Sequence, residues 1–156
     1  MKKRYYIAYG SNLNVAQMRW RCPDAEIVGV AELEDTQLMF RGSMTGSYLT
    51  VEPKAGSRVP VAIWEVSEKD ERHLDRYEGY PTLYYKTELA VPVRDIHGGT
   101  RLCNAFIYVM TGSRKAGAPS DTYMAICREG YEEFGFDPAI LTEAHERSEE
   151  AAHEGR

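Results

Sequence analysis

The sequence predicts an α+β fold: a small, closed or strongly bent, mostly antiparallel β-barrel flanked by helices. Two observations lead to this prediction. Most of the chain up to Met110 consists of alternating or apolar runs that are typical of strands, roughly six in number, with few helical stretches between them. The last third instead carries two helical patterns. The chain of 156 residues is long enough for one sizeable core, and it shows no internal repeat or linker.

The first elements are a strand and a short helix. Residues 5–8 form an apolar run, and Asn14 can cap a helix that Pro23 ends. Further apolar or alternating runs predict strands at residues 25–33, 37–40, 48–53, 59–66, 84–94 and 101–110. The loop His97-Gly98-Gly99-Thr100 joins the last two as a hairpin.

Capping residues mark the remaining helices. Ser67 and Asp70 have the spacing of a capping box, and Gly79 provides a left-handed stop. Pro119-Ser120 opens the next helix, in which Gly130 indicates close packing. Asp137-Pro138 caps the last one. Both tryptophans, Trp20 and Trp64, are predicted to pack in the core.

One domain is predicted over residues 1–145, followed by a charged tail at 146–156. The tail lacks an apolar face, so we expect it to be solvated. The sequence leaves the oligomeric state open, with a homodimer as one alternative.

Composition narrows the function classes. The net charge is −5 and no basic stripe is present, which argues against nucleic acid or an anionic membrane as a partner. The apolar run after Lys2-Lys3-Arg4 is too short for a signal peptide, and no stretch approaches the length of a membrane span. Three scattered cysteines, Cys22, Cys103 and Cys127, are typical of free thiols in a cytoplasmic protein. The histidines show no metal spacing with them, so no metal is expected.

The stretch Tyr9-Gly10-Ser11-Asn12-Leu13, here called the 9–13 turn, is the first candidate binding site. It lies where the first strand passes into a helix, so several backbone N–H groups are left without partners. Such a turn suits a small anion, either a phosphate or a carboxylate. Ser11 also invites interpretation as a nucleophile. The stretch is not a Gly-x-Ser-x-Gly elbow and no histidine is placed to serve it, so we favour a binding role.

Glu78 is the candidate acid or base. It lies at the C-terminal end of a predicted helix, where the helix dipole disfavours negative charge and raises the pKa of a carboxyl group. On this local pattern alone, a solvent-facing glutamate is the favoured alternative.

Three motifs in order carry a family resemblance. They are the 9–13 turn, then Leu74-Asp75-x-x-Glu78-Gly79, and finally Pro119-Ser120-x-x-Tyr123-x-x-Ile126. With them the chain resembles the gamma-glutamylcyclotransferase-like family over roughly residues 5 to 142. The resemblance implies a barrel with a cavity at the first strand-to-helix turn. It also implies release of 5-oxoproline from a γ-glutamyl amino acid or amine, without a cofactor.

The resemblance also implies roles for individual residues. Glu78 would be the catalytic acid/base. The glutamyl group would be bound by the 9–13 turn, that is by Tyr9, Gly10, Ser11, Asn12 and Leu13. Tyr85 matches the family's tyrosine on the strand after the glutamate, and Tyr123 matches a cavity tyrosine. Tyr84 would point the other way, since neighbouring side chains alternate along a strand.

Two other function classes compete with this enzyme. The first is a non-catalytic module on the same fold that binds a small carboxylate or a protein. Glu78 argues against it, because an anion binder gains nothing from a carboxylate in its cavity. The second is a hydrolase that uses Ser11, which lacks a base in the sequence.

Overall fold

Five strands close into a barrel in the computed structural model, which describes residues 2–43 and 45–156. The strands are β1 (Lys3–Ala8), β2 (Glu26–Ser43), β3 (Gly46–Ser67), β4 (Tyr84–Asp95) and β5 (Thr100–Met110), and the helices are α1 (Val15–Arg21), α2 (Glu68–Glu78), α3 (Asp121–Glu133) and α4 (Ala139–His153). Their spatial order is β1-β3-β2-β4-β5. The predicted α+β barrel is confirmed. Within the described part, no helix is long and apolar enough to cross a membrane.

Strands β2 and β3 form one long bent hairpin instead of the four shorter strands predicted. The pairing passes from Glu34 opposite Arg58 to Thr36 opposite Pro53, so both strands bulge there. Asp35 has a positive φ of 51° at this point, and its Oδ1 accepts a hydrogen bond of 2.9 Å from the Gly56 N–H. The polar segments that looked like turns therefore bend the strands without ending them.

Strand β1 closes the barrel. It pairs antiparallel with β3 and parallel with β5, where Tyr5 lies opposite Ala105 and Tyr6 opposite Phe106. Pairing on both sides of β1 leaves no open edge at this strand. The strand ends at Ala8, and the chain then enters the 9–13 turn at the barrel mouth.

The predicted side-chain caps of α1, α2 and α3 are present, whereas α4 has Pro138 as its N-cap residue, without a side-chain cap. Asn14 Oδ1 accepts from the Gln17 N–H at 3.1 Å at the start of α1. Ser67 and Asp70 form a capping box on α2, which ends at Gly79 with φ of 64°. Ser120 Oγ accepts from the Tyr123 N–H at 3.1 Å at the start of α3. Each cap satisfies a backbone donor that the first helical turn leaves open.

The prediction of a solvated tail from residue 146 was wrong. Helix α4 continues to His153, and Ala144, Ser148 and Ala151 are buried along one side of it. Ser148 Oγ accepts a hydrogen bond of 2.8 Å from the Phe40 N–H of β2. The buried stripe consists of alanine and serine, so the sequence showed no apolar face even though the helix packs closely on the barrel.

The two tryptophans lie in opposite environments. Trp64 is buried in the core as predicted, whereas Trp20 is 84% exposed and the prediction for it was wrong. Helix α1 is only two turns long and buries the side that carries Met18 and Arg21. Trp20 lies on its other side.

Candidate active site

A cavity of about 200 Å³ opens at the barrel mouth, where β1 ends. Seven tyrosines line it: Tyr6, Tyr9, Tyr48, Tyr77, Tyr84, Tyr108 and Tyr123. The other lining residues include Gly10, Ser11 and Asn12 of the 9–13 turn, and Glu78. Glu78 is the charged group of this wall among the described residues. The structure therefore brings the turn and the candidate acid/base together, as the sequence predicts.

The 9–13 turn contains a short 3-10 helix, Ser11–Leu13. The Leu13 N–H donates to the Gly10 carbonyl at 3.0 Å, and the Asn14 N–H donates to the Ser11 carbonyl at 3.0 Å. Within residues 2–43 and 45–156, the N–H groups of Ser11 and Asn12 have no hydrogen-bond partner. Both residues line the cavity, so these two donors match the anion-binding prediction.

Leu13 does not line the cavity, which corrects its predicted role in substrate binding. Its side chain is fully buried in the core, where helix α3 packs against the turn. A Cβ atom at Gly130 of α3 would lie only 2.6 Å from the Leu13 carbonyl carbon and 2.6 Å from the Asn14 nitrogen. Gly130 thus allows a close approach of the two backbones. The buried Leu13 side chain holds the turn against the core.

Glu78 is the last residue of α2, and its carboxyl group faces the turn across the cavity. Asn12 Nδ2 donates to its Oε1 at 3.5 Å. Burial raises the pKa of Glu78 from its ordinary value of 4.5 to about 8, and the positive charge of Arg21 opposes that rise. Because Glu78 lines the cavity, the solvent-facing alternative is excluded. The sequence pointed to the helix dipole as the cause of the raised pKa, but desolvation in the cavity is the main cause.

Ser11 has a tyrosine as its partner. Its Oγ lies 2.9 Å from the Tyr77 hydroxyl, within hydrogen-bond distance. No histidine lines the described cavity wall, so Ser11 lacks a base that would activate it as a nucleophile. The described residues also contain no group of three or more His, Cys, Asp or Glu placed to hold a metal ion.

Tyr84, not Tyr85, is the tyrosine of β4 that lines the cavity. Tyr84 is buried, and its hydroxyl donates to the Leu49 carbonyl at 2.7 Å. Tyr85 is 44% exposed and is not part of the cavity wall. Tyr123 lines the cavity as predicted, and its hydroxyl accepts from the Leu49 N–H at 3.2 Å. The motif spacing suggested Tyr85, but strand alternation turns its side chain outward.

Sequence reasoning missed Tyr6, Tyr108 and Arg21. Tyr6 accepts a hydrogen bond from Asn12 Nδ2 at 2.9 Å, and Tyr108 donates to Asp75 Oδ1 at 2.6 Å. Strand alternation offers a signal for Tyr6, since Tyr6 and Ala8 share one face of β1 that leads to Gly10. Arg21 had no signal in the sequence, because an arginine near the end of a helix is normally a surface residue.

The raised pKa of Glu78 predicts that Glu78→Gln stabilises the fold in a pH-dependent way. Between pH 4.5 and 8 the folded protein keeps the proton that the unfolded chain releases, so the stability of the wild type falls as pH rises. Glutamine does not titrate. We therefore compare the free energy of unfolding of the variant with that of the wild type at both pH values. This difference should be more favourable to the variant at pH 8 than at pH 4.5, by on the order of 2 kcal/mol once the partial exposure of Glu78 is allowed for. Urea unfolding at both pH values measures this, and an equal difference at both would contradict it.

The comparisons with known proteins agree with this geometry. A family model described as "Gamma-glutamyl cyclotransferase, AIG2-like" matches residues 6–125. The gamma-glutamylcyclotransferase of Mus musculus is 31% identical over 138 residues, which are 83% of this chain and 71% of that protein. The Homo sapiens protein of the same name is 30% identical over the same shares. A solved structure titled "Gamma-glutamyl cyclotransferase" superposes with a TM-score of 0.74 at 28% identity, covering 95% of this chain and 87% of the other. The chain therefore belongs to the gamma-glutamyl cyclotransferase, AIG2-like family of enzymes.

Proposed function

We propose that the protein is a gamma-glutamylcyclotransferase that converts a γ-glutamyl amino acid or γ-glutamyl amine to 5-oxoproline and the free amine. The observation that carries the proposal is the placement of the Glu78 carboxyl group opposite the 9–13 turn in one cavity. The turn offers N–H donors and Glu78 offers a carboxylate. A γ-glutamyl group is a zwitterion and fits both, with its α-carboxylate at the turn and its α-ammonium toward Glu78. A phosphate would place two negative groups in the same space.

The reaction needs one bond made and one broken. The α-nitrogen of the substrate attacks its own γ-carbonyl carbon, forming the C–N bond of the five-membered ring, and the amide bond to the leaving amine breaks. Ionised Glu78 accepts a proton from the α-ammonium and returns one to the departing nitrogen. A pKa of about 8 suits a group that must both take and give a proton near neutral pH. N–H donors of the turn can also stabilise the developing oxyanion.

The attack is intramolecular, so the protein requires no serine or cysteine nucleophile. Holding a chain in its reactive conformer raises the effective concentration of the attacking group to about 10⁵–10⁸ M in favourable cases. The tyrosine wall supports this task. Tyr84 and Tyr123 hydrogen-bond the carbonyl and the N–H of the same residue, Leu49, and so fix the β3 side of the cavity.

Location and partners remain predictions. The three cysteines are free and buried, which supports a cytoplasmic location. A homodimer stays an alternative, and a nucleic-acid partner is not expected for a chain of net charge −5.

A substrate panel tests the proposal. Purified protein is incubated with γ-glutamyl amino acids and γ-glutamyl amines, and 5-oxoproline and released amine are measured. We expect both products in equal amounts from at least one compound. If the folded protein turns over none of them but binds glutamate or 5-oxoproline, the non-catalytic module becomes the better reading.

Ser11→Ala is expected to keep most of the activity, because the hydroxyl serves as a hydrogen-bond partner of Tyr77. Losing one neutral hydrogen bond costs about 0.5–1.5 kcal/mol, so kcat/KM should fall by roughly tenfold or less. A nucleophile would behave differently, since its removal lowers kcat by about 10⁶-fold in a serine hydrolase. Steady-state kinetics on the best substrate of the panel distinguish the two roles. A loss of kcat of about 10⁶-fold would support the hydrolase interpretation instead.

A further inference from the structure

Arg21 is a buried arginine that contacts the cavity-lining residues Asn12 and Tyr77, and the proposed mechanism does not yet use it. It is the last residue of α1 and only 9% exposed, whereas Arg19 on the same helix faces solvent. Burying a guanidinium is costly unless its donors and its charge find partners. The partners therefore show what this side chain is placed to do.

Its planar fork holds three neighbours at once. Nη1 donates to Asn12 Oδ1 and Nη2 donates to Gln17 Oε1 at 3.0 Å. The guanidinium carbon stacks 3.4 Å from the centre of the Tyr77 ring. Asn12 and Tyr77 both line the cavity, so Arg21 contacts two residues of the cavity wall without being exposed in the cavity itself. Lysine has neither a fork nor a plane and cannot reproduce this arrangement.

The contact with Asn12 fixes which way that amide faces. Because Oδ1 is taken by Arg21, Nδ2 is directed to the other side. There it donates to the Tyr6 hydroxyl at 2.9 Å and to Glu78 Oε1 at 3.5 Å. Without Arg21, the amide loses the contact that distinguishes its two ends. An amide turned the other way would present oxygen to the carboxylate.

We propose that Arg21 is a positioning residue for Glu78, which orients the Asn12 amide toward the carboxylate and stabilises its ionised form by charge. This role rests on the proposed function, in which ionised Glu78 takes the substrate's proton.

The surroundings of Glu78 leave Arg21 as its balancing charge. The groups that face the carboxylate from β1, the 9–13 turn, α2, β4 and β5 are tyrosines, and burial raises their own pKa values above the ordinary range. They are Tyr6, Tyr9, Tyr77, Tyr84 and Tyr108. They stay neutral near pH 7. Arg21 lowers the pKa of Glu78 against the effect of burial. Its loss should therefore leave a smaller fraction of Glu78 ionised at neutral pH.

Two substitutions separate charge from orientation. Arg21→Gln removes the charge but keeps a donor for Asn12, and Arg21→Lys keeps the charge but loses the fork. The Glu78 titration is followed by the ¹³C carboxyl signal in protein labelled at glutamate, without substrate. We expect the pKa of Glu78 to rise in Arg21→Gln and to stay near the wild-type value in Arg21→Lys. Each unit of rise lowers kcat/KM at pH 7 about tenfold.

Arg21→Lys should instead lose kcat while its Glu78 titration stays in place, because Asn12 is no longer held. Exposed Arg19→Gln is the matched control and should change neither quantity. An unchanged Glu78 titration in folded Arg21→Gln would overturn the charge role. If that variant does not fold, wild-type kcat in Arg21→Lys would overturn the orienting role. The titration needs no turnover, so it stays informative even if the panel yields no 5-oxoproline.

Discussion

Glu78→Gln is expected to lower 5-oxoproline formation by at least about 10³-fold while leaving the fold intact. Glutamine matches the shape of the carboxyl group and can still contact Asn12, but it can neither take the proton of the α-ammonium nor deliver one to the leaving amine. General acid–base catalysis contributes about 10²–10⁴-fold to a rate, and here one group serves both proton transfers. The loss should fall on kcat, with KM changed little.

Glu68→Gln is the matched control, since Glu68 is exposed in the first turn of the same helix. It should retain wild-type kinetics. Circular dichroism and thermal unfolding of both variants exclude misfolding as the cause of a lost rate. A Glu78→Gln protein with substantial turnover would refute the assigned role, and the base would then have to be sought among the tyrosines.

Gly130→Ala should weaken both the fold and substrate binding. In an ordinary helix interior this change stabilises by about 0.5–1 kcal/mol. Here the added Cβ would meet two backbone atoms of residues 13 and 14 at 2.6 Å, and backbone cannot move aside as a flexible side chain can. Overpacking of this kind costs about 1–3 kcal/mol or more, so the clash outweighs the helix gain. The 9–13 turn must then shift away from α3.

The measured effects should be a lower urea midpoint and a KM raised by about tenfold or more, since displacing a positioned site by 1 Å can cost about 10²-fold. Glu129→Ala, one residue away on the exposed side of α3, serves as the control. A stabilised Gly130→Ala protein with an unchanged KM would show that the turn tolerates the displacement.

Local chemistry made much of the fold predictable. The caps at Asn14, Ser67 and Ser120 each act within three residues of chain, and they appear where the sequence placed them. The predictions were wrong where contacts with distant parts of the chain decide the local structure or the burial of a residue. Asp35 looks like a turn but bends a continuous hairpin, because its carboxylate binds the opposite strand at Gly56. Ser148 looks solvated until the barrel supplies the Phe40 N–H that it accepts from.

The site was predictable only as far as its motifs reached. Glu78 and the 9–13 turn come from spaced patterns, and the structure brings them together. To choose between Tyr84 and Tyr85, one must know which of these alternating side chains of β4 faces the barrel interior. The distance along the chain from Glu78 does not give that information. Arg21 could not be found because its role depends on a fork reaching Asn12, a contact between a helix end and a turn that leaves no periodic trace.

The closure of the barrel through β1 also sets the order of events during synthesis. The pairs Tyr5–Ala105 and Tyr6–Phe106 join residues 100 positions apart, so the first strand to leave the ribosome waits for the last one. Contacts of such long range carry a loop-closure cost and form late. Until β5 has emerged, the Tyr6 ring lacks its contact with the Tyr108 ring, and a nascent chain has no finished cavity. Capture of a γ-glutamyl compound therefore begins only when nearly the whole chain has been made.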